Sequence, residues 1–122
     1  ARQVGNLLFL SGIGPRSALD NSIPGNVYDA DNRLLSYDIS AQCHSVFANV
    51  KAVLTASGAS FNDLVDVTVY LTDMAKDFKI YNQIWADYFP EPAFAPCRTT
   101  LGITALPTPI AIELKCTAVL KD

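Results

Sequence analysis

The sequence predicts an α+β domain, a mixed sheet covered on one face by two helices. Three observations point there. Two segments repeat apolar residues at spacings of three and four. One eight-residue segment, Leu64 to Leu71, alternates apolar and polar side chains. The segments run strand, short strand, helix, strand, helix, strand, strand. A length of 122 residues and a hydrophobic content of 50% suit a single domain (1–122) with a sizeable core. There are no repeats, linkers or low-complexity stretches.

Val4-Gly5-Asn6 reads as a turn, and Leu7 to Gly12 as a nearly continuous apolar strand of the kind buried on both faces. Ser11-Gly12-Ile13-Gly14-Pro15 ends it. Glycines there leave backbone N–H groups open to a ligand, although an ordinary strand-ending turn has the same sequence. A polar excursion from Arg16 to Arg33 follows, with a short strand at Leu34-Leu35. The first helix starts at Asp38, an N-cap, and carries the stripe Ile39, Cys43, Val46, Phe47, Val50, Val53 and Leu54. Gly58 stops it. His44, the one histidine, falls off that stripe and is given no catalytic role.

In the alternating strand Val65, Val67, Val69 and Leu71 share one face; Asp66, Thr68 and Tyr70 share the other. The second helix has Asp73 or Asp77 near its N-terminus and the stripe Phe78, Tyr81, Trp85, Tyr88 and Phe89. At about 100° per residue, Asn82 borders that stripe. Its amide needs a partner, either backbone or a ligand. Pro96 to Ile103 is a strand, Ala105-Leu106-Pro107-Thr108-Pro109 a turn, and Ile110 to Leu120 a closing strand. There Ile110, Ile112, Leu114 and Cys116 share one face, and Glu113 and Lys115 share the other. That pair reads as a solvated edge or as the lining of a subunit seam. Arg98, at the mouth of its strand, is either a surface arginine paired with an acid or a planar fork for a carboxylate.

The net charge of -3 argues against a nucleic-acid face. No apolar run approaches membrane-spanning length and no signal peptide is visible. The chain begins at Ala1, directly in strand-like sequence, so upstream residues are expected to have been removed. Three cysteines, Cys43, Cys97 and Cys116, form no C-x-x-C pair; they suggest neither a zinc site nor a disulfide framework, and read as reduced thiols of a cytoplasmic protein. A positive mean hydropathy of +0.21 suggests apolar surface buried between subunits.

Across almost its whole length the chain resembles the RidA/YjgF family. The resemblance rests on Val4-Gly5-Asn6, Leu10-Ser11-Gly12, Asn49 to Leu54, Gly58-Ala59, Asp63-Leu64-Val65, Val69 to Met74, Tyr81-Asn82, Tyr88-Phe89, Pro96-Cys97-Arg98 and Ala105-Leu106-Pro107. It implies a chorismate-mutase-like subunit and a homotrimer around a sheet-lined barrel, with pairing into a hexamer left open. It also implies ligand clefts between subunits and hydrolysis of enamines and imines to a keto acid and ammonia. No metal or organic cofactor is expected, because an imine carbon is already electrophilic.

Residue by residue, Arg98 matches the family's carboxylate-binding arginine. Ser11 and Gly12 match the strand-end pair lining the cleft, Asn82 a cleft asparagine, and Trp85 a frequent aromatic position. Thr100 stands where the deaminases usually have a cysteine whose carbonyl helps hold water. A family tyrosine upstream has no counterpart. Lys115 occupies the place of the water-positioning glutamate, which inverts the charge. Ser11 to Arg16, Leu35 to Ile39, Gln42-Cys43, Pro96 to Thr100 and Leu106 to Lys115 resemble the 2-aminomuconate deaminase branch. The expected substrate is then a dicarboxylate enamine, met by Arg98 and Lys115, with Arg16 a third candidate cation. Glu113 becomes a proton carrier only if the strand register turns it inward. Competing expectations are a general enamine/imine deaminase and a non-catalytic trimer that binds a 2-oxoacid.

Overall fold

Gly5 lets the chain turn back on itself at its start. In the computed structural model, which describes residues 1–121, β1 (Arg2–Val4) and β2 (Leu7–Phe9) pair antiparallel around it, with its φ at 61°. β3 (Val27–Tyr28) and β4 (Leu34–Ser36) form a separate two-stranded ribbon. α1 (Ile39–Ala56) begins where the Asp38 carboxylate accepts the Ala41 N–H, and Gly58, with φ at 79°, follows its end. After a short 3₁₀ turn come β5 (Leu64–Leu71) and α2 (Met74–Tyr88), capped by Asp73. β6 (Cys97–Gly102) and β7 (Ile112–Val119) complete the chain.

The main sheet has the order β1-β2-β7-β5-β6, all antiparallel except β5–β6. α2 is the crossover that a parallel pair requires. The Ala105–Pro109 turn therefore makes no hairpin; it carries the chain past β5, so that β7 lies between β2 and β5 and β6 is left at the edge. Both helices cover one face. Leu8, Leu10, Val67, Val69, Leu71, Ile112, Leu114, Cys116 and Ala118 point into it and are buried. Each large apolar side chain so buried contributes roughly 1.5–3 kcal/mol. Phe47 stacks on Tyr88 at 4.2 Å between ring centroids, tying α1 to α2.

Four expectations are corrected. β2 is buried on one face only: Leu8 is covered, whereas Leu7 and Phe9 are 37% and 40% exposed. Val65 is exposed because a bulge between Leu64 and Asp66 shifts the alternation, and Leu64 takes its place in the core. On α2, Phe78 is exposed and Asp77 and Ile84 are buried; the helix is rotated so that Asp77 meets the Tyr37 hydroxyl at 2.6 Å. The closing strand starts at Ile112, not Ile110, because Ile110 gives its N–H to Thr108 within the proline turn.

Two buried polar side chains were not anticipated. Gln42 accepts the Ala111 N–H at 2.8 Å and donates to Asn26 at 3.0 Å, and Asn26 in turn donates to the Pro109 carbonyl. This network pins the start of β7 to α1. Gln42→Ala strands the buried Ala111 N–H and is expected to cost about 1–3 kcal/mol in urea unfolding.

Asp77 is fully buried, and its Oδ1 has no hydrogen-bond partner. Burial pushes its carboxyl upward, against the lowering effect of the Tyr37 hydrogen bond. A raised carboxyl stabilises the fold fully below its ordinary 3.8, and that contribution is lost as pH rises through the folded value. Asp77→Asn keeps an acceptor for Tyr37 and carries no charge. It should therefore gain stability relative to the parent chain as pH rises through this window. A stability difference independent of pH would refute the assignment.

Candidate functional site

β6 is the edge strand, and its partner β5 decides which way its side chains face. Arg98 lies beside Val67 and Thr100 beside Val69. Val67 and Val69 are buried under the helices, so Arg98 and Thr100 also project to the helix side. α2 receives them. The Arg98 guanidinium donates to Asn82 Oδ1 at 2.8 Å and to the Tyr81 hydroxyl at 3.3 Å. It lies 4.9 Å from the centre of the Trp85 ring. The Thr100 hydroxyl and the Tyr81 hydroxyl are 3.1 Å apart. Four of the expected site residues, Arg98, Thr100, Asn82 and Trp85, thus form one cluster.

All the partners of Arg98 in this cluster are neutral. Among the described residues it makes no ion pair. A guanidinium aimed by an amide, a phenol and an indole keeps its charge available for an anion. Tyr81 is the residue that the sequence reading assigned to core alone. Its ring is fully buried and its hydroxyl joins Arg98 to Thr100. Burial raises the phenol, and its hydrogen bonds to Thr100 and Arg98 oppose that rise. The legible signal was a tyrosine beside Asn82 and one turn before Trp85.

The second cluster lies on the opposite face. Leu10 donates to Cys116 at 3.1 Å, and Ile13 and Leu114 exchange bonds at 2.8 and 2.9 Å. Between these contacts two residues, Ser11 and Gly12, face one, Lys115. This is a β-bulge, which re-aims side chains and interrupts the ladder. Among the described residues neither Ser11 nor Gly12 gives its N–H to a backbone carbonyl. The Lys115 ammonium folds across the bulge and donates to the Leu10 carbonyl. A hollow of about 400 Å³ opens here, lined by Gly12, Tyr70, Ile103, Ala105, Leu106, Glu113 and Lys115. The register turns Glu113 into it, beside Tyr70.

The expected site is therefore two half-sites. Arg98, Thr100, Asn82 and Trp85 stand on the helix side of the edge strand. Ser11, Gly12 and Lys115 stand on the other side, around β7. Arg98 and Lys115 thus stand on opposite faces of the sheet. Arg98 lines none of the three main hollows of the single chain. Arg16 is exposed and lies outside the Lys115 hollow.

Other reactive groups lie elsewhere. His44 is exposed on α1, with Nδ1 2.9 Å from the Tyr88 hydroxyl. Burial pushes the Cys43 and Cys116 thiols up to about 12. Cys97 is free and exposed. Among the described residues no group of three or more His, Cys, Asp or Glu could hold a metal, and no helix is long and apolar enough to cross a membrane.

Known proteins resemble this chain throughout. The family model described as Endoribonuclease L-PSP matches residues 1–120. The chloroplastic Reactive Intermediate Deaminase A of Arabidopsis thaliana is 35% identical over 98% of the chain, which spans 57% of that protein's length. The 2-iminobutanoate/2-iminopropanoate deaminase of Dermatophagoides farinae is 30% identical, over 99% of this chain and 84% of its own. The crystal structure of the YjgF gene product of E. coli superposes with a TM-score of 0.80 at 28% identity, covering 98% of this chain and 85% of that one.

Tyr81→Phe keeps the ring beneath Arg98 and removes the shared hydroxyl. It is expected to cost about 0.5–1.5 kcal/mol in urea unfolding. A loss of zero would mean that the Thr100–Tyr81–Arg98 chain of contacts is not held in solution.

Proposed function

The chain belongs to the RidA/YjgF family, and from that premise we propose that it hydrolyses imines and enamines bearing a carboxylate, releasing ammonia and leaving a 2-oxoacid. The observation that carries this reading is the Arg98 guanidinium, oriented by neutral groups and without an ion pair among the described residues. Two relatives whose names describe deaminases support the reaction class.

In this reading Arg98 grips the carboxylate beside the nitrogen-bearing carbon, and Asn82 and Trp85 hold the guanidinium in place. The enamine moves a proton from nitrogen to carbon and becomes an imine. Water adds to the imine carbon, and the C–N bond then breaks as the carbonyl forms. Ser11 and Gly12, with free backbone N–H groups, line the approach, and Thr100 helps to place the water. Lys115 meets a second carboxylate or the negative charge that develops.

The finer reading is a dicarboxylate substrate such as 2-aminomuconate, in the breakdown of aromatic compounds by a cytoplasmic enzyme. Its support is the second cation, Lys115, at the bulge opposite Ser11 and Gly12. The cleft joins two copies, in a homotrimer or a pair of them. Ribonuclease chemistry fits less well: the net charge is -3, and the one histidine, His44, is exposed on α1 and paired with Tyr88.

Purified protein given freshly generated 2-aminomuconate or 2-aminoacrylate should release ammonia faster than the spontaneous reaction. A higher kcat/KM on the dicarboxylate supports the finer reading, and the reverse order supports a general deaminase. Saturable 2-oxoacid binding with no acceleration on either substrate refutes the proposal in favour of a binding trimer. Arg98→Ala should raise KM tenfold or more, the loss of a charge-assisted hydrogen bond of about 1.5–3 kcal/mol. Trp85 is the only tryptophan, so its fluorescence should report 2-oxoacid binding in the parent chain and lose that response in Arg98→Ala.

A further inference from the structure

The largest of the three main hollows shares no lining residue with either half-site. It measures about 490 Å³ and is lined by Asn62, Tyr88, Phe89, Pro90, Glu91 and Phe94. Sites for small organic molecules run from roughly 300 to 1,000 Å³. Neither Arg98, Lys115 nor any other cationic side chain lines it. Its one charged lining group is Glu91, which is exposed and makes no ion pair among the described residues.

The rings of this hollow are held in place by the fold. Tyr88 ends α2, with its ring stacked on Phe47 and its hydroxyl 2.9 Å from His44 Nδ1. Phe89 follows it, its ring centre 4.5 Å from that of Trp85 and 5.8 Å from that of Phe61, which meets it edge-on. The third ring, Phe94, is 54% exposed. It closes a 3₁₀ turn, Pro92–Phe94, by giving its N–H to the Glu91 carbonyl at 3.0 Å. Pro90 and Pro92 flank Glu91 and restrict its backbone on both sides. Carboxylate and exposed ring are therefore presented by a stiff segment, and little ordering remains to be done when a ligand arrives.

The chemistry of the lining selects the ligand. The face of an aromatic ring carries negative potential, and the Glu91 carboxylate adds a full negative charge. An anion would find no positive side chain here and one negative one, so the carboxylates suited to Arg98 are excluded. A bare metal ion would have a single carboxylate and a neutral amide, too few oxygen ligands for a hard cation. An ammonium carrying alkyl groups meets both requirements: its charge is spread over apolar groups that pack on rings. We propose that this hollow binds an alkylated ammonium ion, with its methyl groups against Tyr88, Phe89 and Phe94 and its charge facing Glu91. Asn62 supplies an amide for a polar tail such as a hydroxyl. The site is independent of the hydrolase reading, since none of its residues takes part in that reaction.

The test is calorimetric titration of the purified protein with choline, and with neohexyl alcohol, which has the same shape and no charge. Choline should bind saturably at millimolar concentration or below, and the alcohol about fivefold more weakly or worse. Glu91→Gln and Phe94→Leu should each weaken choline binding about fivefold or more; leucine keeps the apolar bulk and removes the ring. Arg98→Ala should leave choline affinity within about twofold, because it lies outside this hollow. Each variant is first checked for the parent's circular dichroism and oligomeric size. No saturable choline binding, equal binding of the alcohol, or unchanged affinity in either Glu91→Gln or Phe94→Leu overturns the proposal. Loss of binding in Arg98→Ala also overturns it, by assigning the choline to the carboxylate site. If Phe94→Leu misassembles, Glu91→Lys decides: a lysine there places a cation in the hollow and should abolish choline binding, and retained binding refutes the site.

Discussion

The structure depends on the two-sidedness of β7. It is flanked by β2 and β5, so both its backbone edges are paired and its side chains alone can vary. Ile112, Leu114, Cys116 and Ala118 face the helices and are buried, and Glu113, Lys115, Thr117 and Val119 face away. A slip of one residue would exchange the two sets. It would place two charges under the helices, at a cost of several kcal/mol each, and expose the apolar set. No such register competes. The helices therefore fix, through β7, which face carries Glu113 and Lys115.

The same logic separates Arg98 from them. β6 continues the register of β5, so its Arg98 and Thr100 follow Val67 and Val69 toward the helix side. A guanidinium directed there would be costly if it were enclosed. The edge position resolves this, because β6 has no neighbour on its outer side and α2 offers Asn82, Tyr81 and Trp85 along its flank. The arginine is ordered yet exposed. On the opposite face Leu7, Phe9 and Leu101 remain 37–44% exposed around the strands that carry the hollow. Apolar surface and cation thus sit on different sides of one sheet.

Much of this was legible in the sequence. Strict periodicity located both helices and β5, and Asp38 and Gly58 marked the ends of α1 through chemistry that needs no tertiary contact. The Arg98 neighbourhood was legible only through the family resemblance, which set Asn82 and Trp85 beside Arg98; helical spacing alone said no more than that Asn82 borders the apolar stripe. What failed was decided by partners distant in sequence. The bulge at Val65 answers to β7. The burial of Asp77 depends on Tyr37, 40 residues earlier. Gln42 lies outside the apolar stripe read for α1, and its burial depends on Ala111, 69 residues on, whose N–H it accepts. The separation of Arg98 from Lys115 was hidden for a related reason: each strand shows its own alternation, but the relative sense of two strands is set by pairing.

The bulge at Ser11-Gly12 links these features to chemistry. Successive N–H groups of a strand point to opposite edges, so a regular ladder would commit one of these two to β7; at the bulge neither bonds a backbone carbonyl among the described residues. A Cβ at position 12 would lie 3.0 Å from Glu113 Oε2. Donors, a carboxylate and an ammonium then meet within one hollow although they come from only two strands. The strands that carry these groups are held in register by backbone pairing. Because Lys115 is tethered to the Leu10 carbonyl and not to Glu113, the two charges do not cancel.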